Sequence, residues 1–176
     1  MISRVTGVIA AALLAAMPAA AQEAESDNRV AADTDWSVFV EGDPQECWGV
    51  SAPKESALVD ANGNPTTGRR GDILLFVFWR PGDGVQGQVA FTGGYPFAGG
   101  STVSMEIGDS SFELFTEGEW AWPATPEDDT RIIEAMRRGA AAEVRGRSGR
   151  GNQTIDEFSL LGFTAAIEEA GRRCTG

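Results

Sequence analysis

Ile73-Leu74-Leu75-Phe76-Val77-Phe78-Trp79 is the most apolar run after residue 21, and its reading decides the fold. It is too short for a typical buried helix and is dominated by β-branched and aromatic side chains, which fit a pleated surface. Without polar alternation, it reads as a central strand covered on both faces. Working outward, Pro81-Gly82-Asp83-Gly84 turns the chain and Gly87 to Phe91 returns it as a second strand. Upstream, the polar, turn-forming stretch 60–71 (DANGNPTTGRRG) is a loop. Before it, Glu46 to Ser51 forms one strand. Trp36, Val38 and Val40, alternating with Ser37, Phe39 and Glu41, form another, with Gly42-Asp43-Pro44 between the two.

Downstream, Thr102 to Ile107 and Ser111 to Phe115 flank Gly108-Asp109-Ser110, the clearest hairpin signal in the chain. Ala140 to Arg145 and Thr154 to Leu160 add two strands around Ser148-Gly149-Arg150-Gly151. About eight short strands at close spacing predict a mainly β fold, an antiparallel sandwich or barrel-like sheet. An outer-membrane barrel fits less well, because its strands are longer and alternate more cleanly.

Two helices complete the pattern. Thr125-Pro126-Glu127-Asp128 combines an N-cap, a proline at the first helical position and acids in the first turn. Ile132, Ile133 and Met136 give this helix its apolar face, and Gly139 ends it. From about Gly162 to Arg172, Phe163, Ala166, Ile167 and Ala170 fall on one stripe, which Cys174 continues.

Residues 1–21 read as a secretory signal peptide: Arg4, an apolar stretch from Val5 to Met17, and Ala19-Ala20-Ala21 as a cleavage site after Ala21. The apolar stretch falls short of the ~20 residues of a membrane span. Residues 22–34 read as a flexible acidic leader, and 35–176 as a single β-rich domain large enough for a real core. The expected destination is the periplasm or the exterior. Cys47 and Cys174 are the only cysteines, and an even count in an exported chain predicts a disulfide. So long a loop gives a chain-entropy estimate of about 5 kcal/mol, with measured gains usually smaller.

The formal charge of −12, from 26 acidic and 14 basic residues, argues against nucleic acid and anionic lipid as partners. The chain has no histidine, which removes Ser-His-Asp and Cys-His catalysis and the commonest zinc ligand.

Four stretches invite chemistry. Asp60-Ala61-Asn62-Gly63-Asn64 alternates oxygen side chains as calcium loops do, but Pro65 stands where glycine is needed and the closing Glu is absent, so a plain turn is favoured. Glu113, Glu117 and Glu119 lie near Trp120 and Trp122, a pattern shared by glycan-binding or glycan-hydrolysing sites and by ordinary strands with solvated acids. Ser148-Gly149-Arg150-Gly151-Asn152 resembles an anion-binding loop but lacks the Lys-Ser/Thr ending of a phosphate loop. Gly93-Gly94-Tyr95-Pro96-Phe97-Ala98-Gly99-Gly100 presents Tyr95 and Phe97 among glycines. Exposed, they would be candidate partner-binding residues together with Trp120 and Trp122; more often such residues plug the end of a sheet.

Several segments together resemble the invasion associated locus B family of exported bacterial proteins. They are the signal peptide, Asp35-Trp36, Cys47, Arg70-Gly71-Asp72-Ile73, Gly94-Tyr95-Pro96-Phe97 and Phe158-Ser159-Leu160-Leu161-Gly162-Phe163-Thr164-Ala165-Ala166. The Gly162-Phe163 segment is the most specific. Many members carry a further mid-chain cysteine pair, and Gly118-Glu119-Trp120-Ala121-Trp122-Pro123 has none. The family is named for an association with host-cell invasion and implies no reaction, cofactor or catalytic residue. The resulting expectation is a non-enzymatic periplasmic or envelope domain that binds an envelope or host protein or another envelope component. The alternative is a glycan-directed domain using Glu113, Glu117 or Glu119.

Overall fold

The computed structural model describes residues 28–175; the expected signal peptide lies outside the described residues. Eleven strands form one sheet: β1 (Arg29–Asp33), β2 (Trp36–Glu41), β3 (Glu46–Ser51), β4 (Glu55–Val59), β5 (Leu74–Arg80), β6 (Val85–Thr92), β7 (Thr102–Ile107), β8 (Ser110–Glu117), β9 (Trp120–Trp122), β10 (Ala141–Arg147) and β11 (Gln153–Ser159). Helix α1 (Pro126–Arg138) lies between β9 and β10, and α2 (Phe163–Thr175) follows β11. The strand order is β1-β2-β3-β5-β6-β9-β8-β7-β10-β11-β4. Every pairing is antiparallel.

The sheet is open, with β1 and β4 as its edges, yet it curls strongly. Only Ala52-Pro53-Lys54 separates β3 from β4, and β4 pairs with β11 at the opposite end of the strand order. The curl brings these ends together. The Lys54 N–H donates to the Glu157 carbonyl (2.7 Å), the Asp35 N–H to Leu161 (3.2 Å), and the Trp36 indole N–H to Ser159 (2.9 Å). The barrel-like shape expected from the sequence is thus approached without closure.

The core fills the concave side. Trp36, Val38, Leu75, Val77, Val89, Phe91, Leu114, Val144 and Phe158 reach it from the sheet and are almost completely buried. α2 lies across β2 and β3 and contributes Phe163, Ala166, Ile167 and Ala170. α1 lies over β6 and contributes Ile132 and Met136. Both helices form as their sequence signals require. Thr125 Oγ1 accepts the Asp128 N–H at 3.2 Å, and the Gly139 N–H closes α1 onto the Ala135 carbonyl. Cys174 falls within α2 and is bonded to Cys47 of β3, a bridge spanning 127 residues that pins the last helix to the sheet.

The segments behind the family resemblance meet in pairs. Phe163 packs edge-on against Trp36, with ring centroids 4.9 Å apart. Gly162, at φ 89°, abuts the Asp33 backbone so closely that any Cβ there would collide with its carbonyl. Just beyond Leu74 and Thr92, the Gly71 N–H donates to the Gly94 carbonyl (2.8 Å), and a Cβ on Gly94 would strike the Gly71 backbone.

Three strands escape the sequence reading. β1 takes up Arg29–Asp33, within the stretch 22–34 expected to be a flexible leader, and pairs with β2. The reason is backbone pairing with β2 and a partly buried Ala31 rather than any apolar alternation. β4 is an edge strand with mostly exposed side chains, and β9 is only three residues long.

Candidate functional site

The pleat of β5 sends Leu75 and Val77 into the core and Phe76 and Phe78 to the convex outer face. Among the described residues no helix packs on that face, yet Phe76 is only 9% exposed. Other rings cover it. Phe39 of β2 stacks on Trp48 of β3 at 5.7 Å, and Trp48 meets Phe78 at 6.3 Å. Phe78 stacks on Phe76 at 5.0 Å, and Phe76 meets Trp120 of β9 at 5.6 Å. Cross-strand register sets this ladder: Phe39 lies opposite Trp48, and Trp48 opposite Phe78. The Arg80 guanidinium sits 4.7 Å over the Phe78 ring, a cation–π contact that also holds it near Glu46 and Gln88.

The ladder continues through Trp122 and Phe115, which are opposed across β9 and β8. Trp120 is 39% exposed and Phe115 52%. Phe78, Arg80, Gln88, Ala90, Trp120 and Trp122 line a hollow of about 310 Å³, in which Ala90 leaves room between larger side chains. Beside it, Trp122 and Phe115 face Thr125, Pro126 and Asp129 at the start of α1 across a hollow of about 340 Å³. Asp129 accepts the Val89 N–H at 2.8 Å and is largely buried, and burial raises its carboxyl to about 6, with the neighbouring Asp128 charge adding to the rise. Glu41, Glu46, Glu113 and Glu117 share the outer face by strand register and give the aromatic strip an acidic rim.

The residues singled out from the sequence separate here. Trp120 and Trp122 lie on the outer face as candidate contacts. Tyr95 and Phe97 do not: Phe97 is 8% exposed against Phe91, and Tyr95 lies edge-on to Phe97 with its hydroxyl 2.6 Å from Thr154 Oγ1. They plug one end of the curled sheet, because Gly93 and Gly146 leave space into which both rings fold. Glu113 and Glu117 sit on β8, whereas Glu119 occupies the following turn and faces a separate cleft with Arg70 and Tyr95. The three carboxylates therefore do not converge. Asp60 Oδ1 accepts the N–H groups of Asn62 and Asn64, as an Asn-Gly turn requires. Missed by sequence reasoning were Phe39, Trp48, Phe76, Phe78, Arg80 and Gln88. Their signal was an aromatic residue at outward positions of three separate strands.

These features define a class: an open, curled antiparallel sheet, its concave side filled by core and helices and its convex side faced with aromatic rings. A crystal structure of invasion associated protein B from Bartonella henselae shares this fold. It aligns over 83% of this chain and 98% of that one, with a TM-score of 0.57 and 12% sequence identity. The likeness is one of fold. No family model and no curated protein matches the chain.

Proposed function

We propose that this chain acts after export as a non-enzymatic domain of the bacterial envelope, periplasm or exterior, and that its aromatic outer face binds a protein or other envelope component. One observation carries the reading: a strip from Phe39 to Trp120, extended by Trp122 and Phe115, lies on a sheet face on which no helix of the described residues packs. Contiguous apolar surface of this kind marks interaction sites, and Trp and Arg are the residues most enriched where binding energy concentrates. The acidic rim favours a partner with basic groups, whose cations would also suit the ring faces. The Cys47–Cys174 bridge supports an oxidising destination. A host protein is included among the partners because the similar structure belongs to a protein named for invasion.

Photo-crosslinking in the periplasm tests this. A probe at position 48 or 122 is expected to trap a discrete partner, and a probe at Glu143, far across the sheet, is not. Equal trapping from all three positions would contradict the reading.

A second reading rests on the hollow between Phe78, Trp120 and Trp122, where Gln88 and Arg80 provide polar groups beside aromatic faces. A neutral sugar offers matching surfaces, apolar on one face and hydroxylated at its edge. Glycan-array binding that depends on Trp122 would favour it. Glycan hydrolysis lost on Glu117→Gln would overturn the non-enzymatic proposal.

A further inference from the structure

The cleft between the β4 strand, the segment before β5, the segment after β6 and the β10–β11 turn is built differently from the aromatic face. Four stretches of chain converge on it: Leu58 of β4, Gly68-Arg69-Arg70, Gly94-Tyr95-Pro96, and the turn Ser148 to Asn152, with Glu119 at its side. Its volume is about 360 Å³.

Its wall is rigid. Arg70 donates to both carboxylate oxygens of Asp156, at 2.7 and 2.6 Å, and through Nε to the Gly93 carbonyl at 2.9 Å. The Arg70 side chain is 11% exposed and that of Asp156 fully buried. The guanidinium also lies 5.2 Å over the Tyr95 ring, and Tyr95 is held by Thr154. A buried charge pair survives only when its hydrogen bonds are satisfied, and here they are. Arg70 is therefore neutralised and immobile.

Arg69 and Arg150 are different. Both are exposed at the cleft, and neither has an ion-pair or hydrogen-bond partner among the described residues. Among the described residues that line the cleft, Glu119 brings the one unpaired carboxylate against them, so this lining has an excess of positive charge in a chain whose net charge is −12. Glycines at 68, 94 and 149 keep side chains out of the space between, while Leu58, Tyr95 and Pro96 give it an apolar wall. The Ser148–Asn152 turn is the stretch whose composition resembles an anion loop. Its geometry supplies an arginine at a cleft rim rather than a strand-to-helix phosphate cradle.

We propose that this cleft binds an oxyanion, carboxylate or phosphate, borne on a ligand with an apolar body, with Arg69 and Arg150 taking the anion and Leu58, Tyr95 and Pro96 the body. Guanidinium groups pair with both oxyanions through two-point hydrogen bonds. The site shares no residue with the aromatic face, so either proposal stands or falls alone.

The test is an NMR titration of the full exported chain, following the backbone amides of Gly68, Gly94 and Gly149. The probes are inorganic phosphate and a short N-acetylated apolar peptide, the latter as free acid and as C-terminal amide. Saturable shifts at these glycines with phosphate or with the free acid are expected, and the two arms distinguish a phosphate source from a chain-terminal carboxylate. Arg150→Gln and Arg69→Gln should each weaken binding roughly tenfold, the loss of one charge-assisted contact. Glu119→Gln should tighten it. Arg137→Gln, which removes an exposed arginine paired with Glu168, should change nothing. The proposal is overturned by equal binding of acid and amide, by no saturation with either anion, or by equal weakening in the Arg137 variant.

Discussion

The two faces of the central strands are both aromatic, and they differ in what covers the rings. On the inner face, Trp36, Phe91, Phe158 and Phe163 are essentially fully buried beneath helices and opposing strands. Trp36 and Phe163 come from segments more than a hundred residues apart and meet edge-on. On the outer face, Phe39, Trp48, Phe76, Phe78 and Trp120 cover one another, and the last of them remains 39% exposed. Inner rings exclude water by being enclosed, and outer rings only by being neighbours. The inner set therefore carries folding energy. The outer set gives up apolar area to water that a partner can recover.

Substitutions should break this comparison unequally. Trp36→Ala empties a fully buried site and removes the hydrogen bond to Ser159, and should cost about 3–5 kcal/mol of unfolding free energy in urea titration. Removing the bridge with Cys47→Ala and Cys174→Ala should cost about 2–5 kcal/mol by the same measurement, because the unfolded chain is then freed from a loop closed across 127 residues. Arg70→Met should cost about 3–5 kcal/mol by leaving Asp156 buried without its partner. Adding Asp156→Leu should restore most of that loss, which a simple packing defect would not allow.

The smallest expected effect concerns pH at the border of the two faces. Burial holds the Asp129 carboxyl at about 6 against an ordinary value of 3.8, so the folded chain binds this proton more tightly than the unfolded chain. This group's contribution to stability therefore falls as pH rises from about 3.8 to about 6 and stays low above that. Asn at 129 keeps an oxygen for the Val89 N–H and has nothing to titrate. Melting curves from pH 4 to 7 should show Asp129→Asn gaining on the parent chain as pH rises, with the gain levelling off near neutrality. A constant difference across that range would contradict the burial argument.

Much of the inner face was legible in the sequence. Val103, Met105 and Ile107 alternate along β7, and Phe163, Ala166, Ile167, Ala170 and Cys174 share one helical stripe. The disulfide was legible from a cysteine count in a chain expected to be exported. β1 and β4 were hidden because edge strands need no apolar alternation. The outer face was hidden because its rings become neighbours only through cross-strand register. Phe39, Trp48, Phe78 and Trp120 lie on four strands, and no local pattern links them. Tyr95 and Phe97 admitted two readings, partner contact and a plug at the end of the sheet, because flanking glycines look the same beside a surface ring as beside one folded inward; the rings fold inward. The run from Ile73 to Trp79 was read as covered on both faces; its outer cover is other aromatic rings rather than a second layer of structure.

The most direct test of the division between the faces is Trp120→Ala, assayed on one preparation for urea stability and for periplasmic crosslinking from position 48. The expected result is a stability change within about 1 kcal/mol, as for most surface positions, with crosslinking reduced roughly tenfold. Crosslinking at the parental level, or a stability loss as large as that of Trp36→Ala, would contradict it.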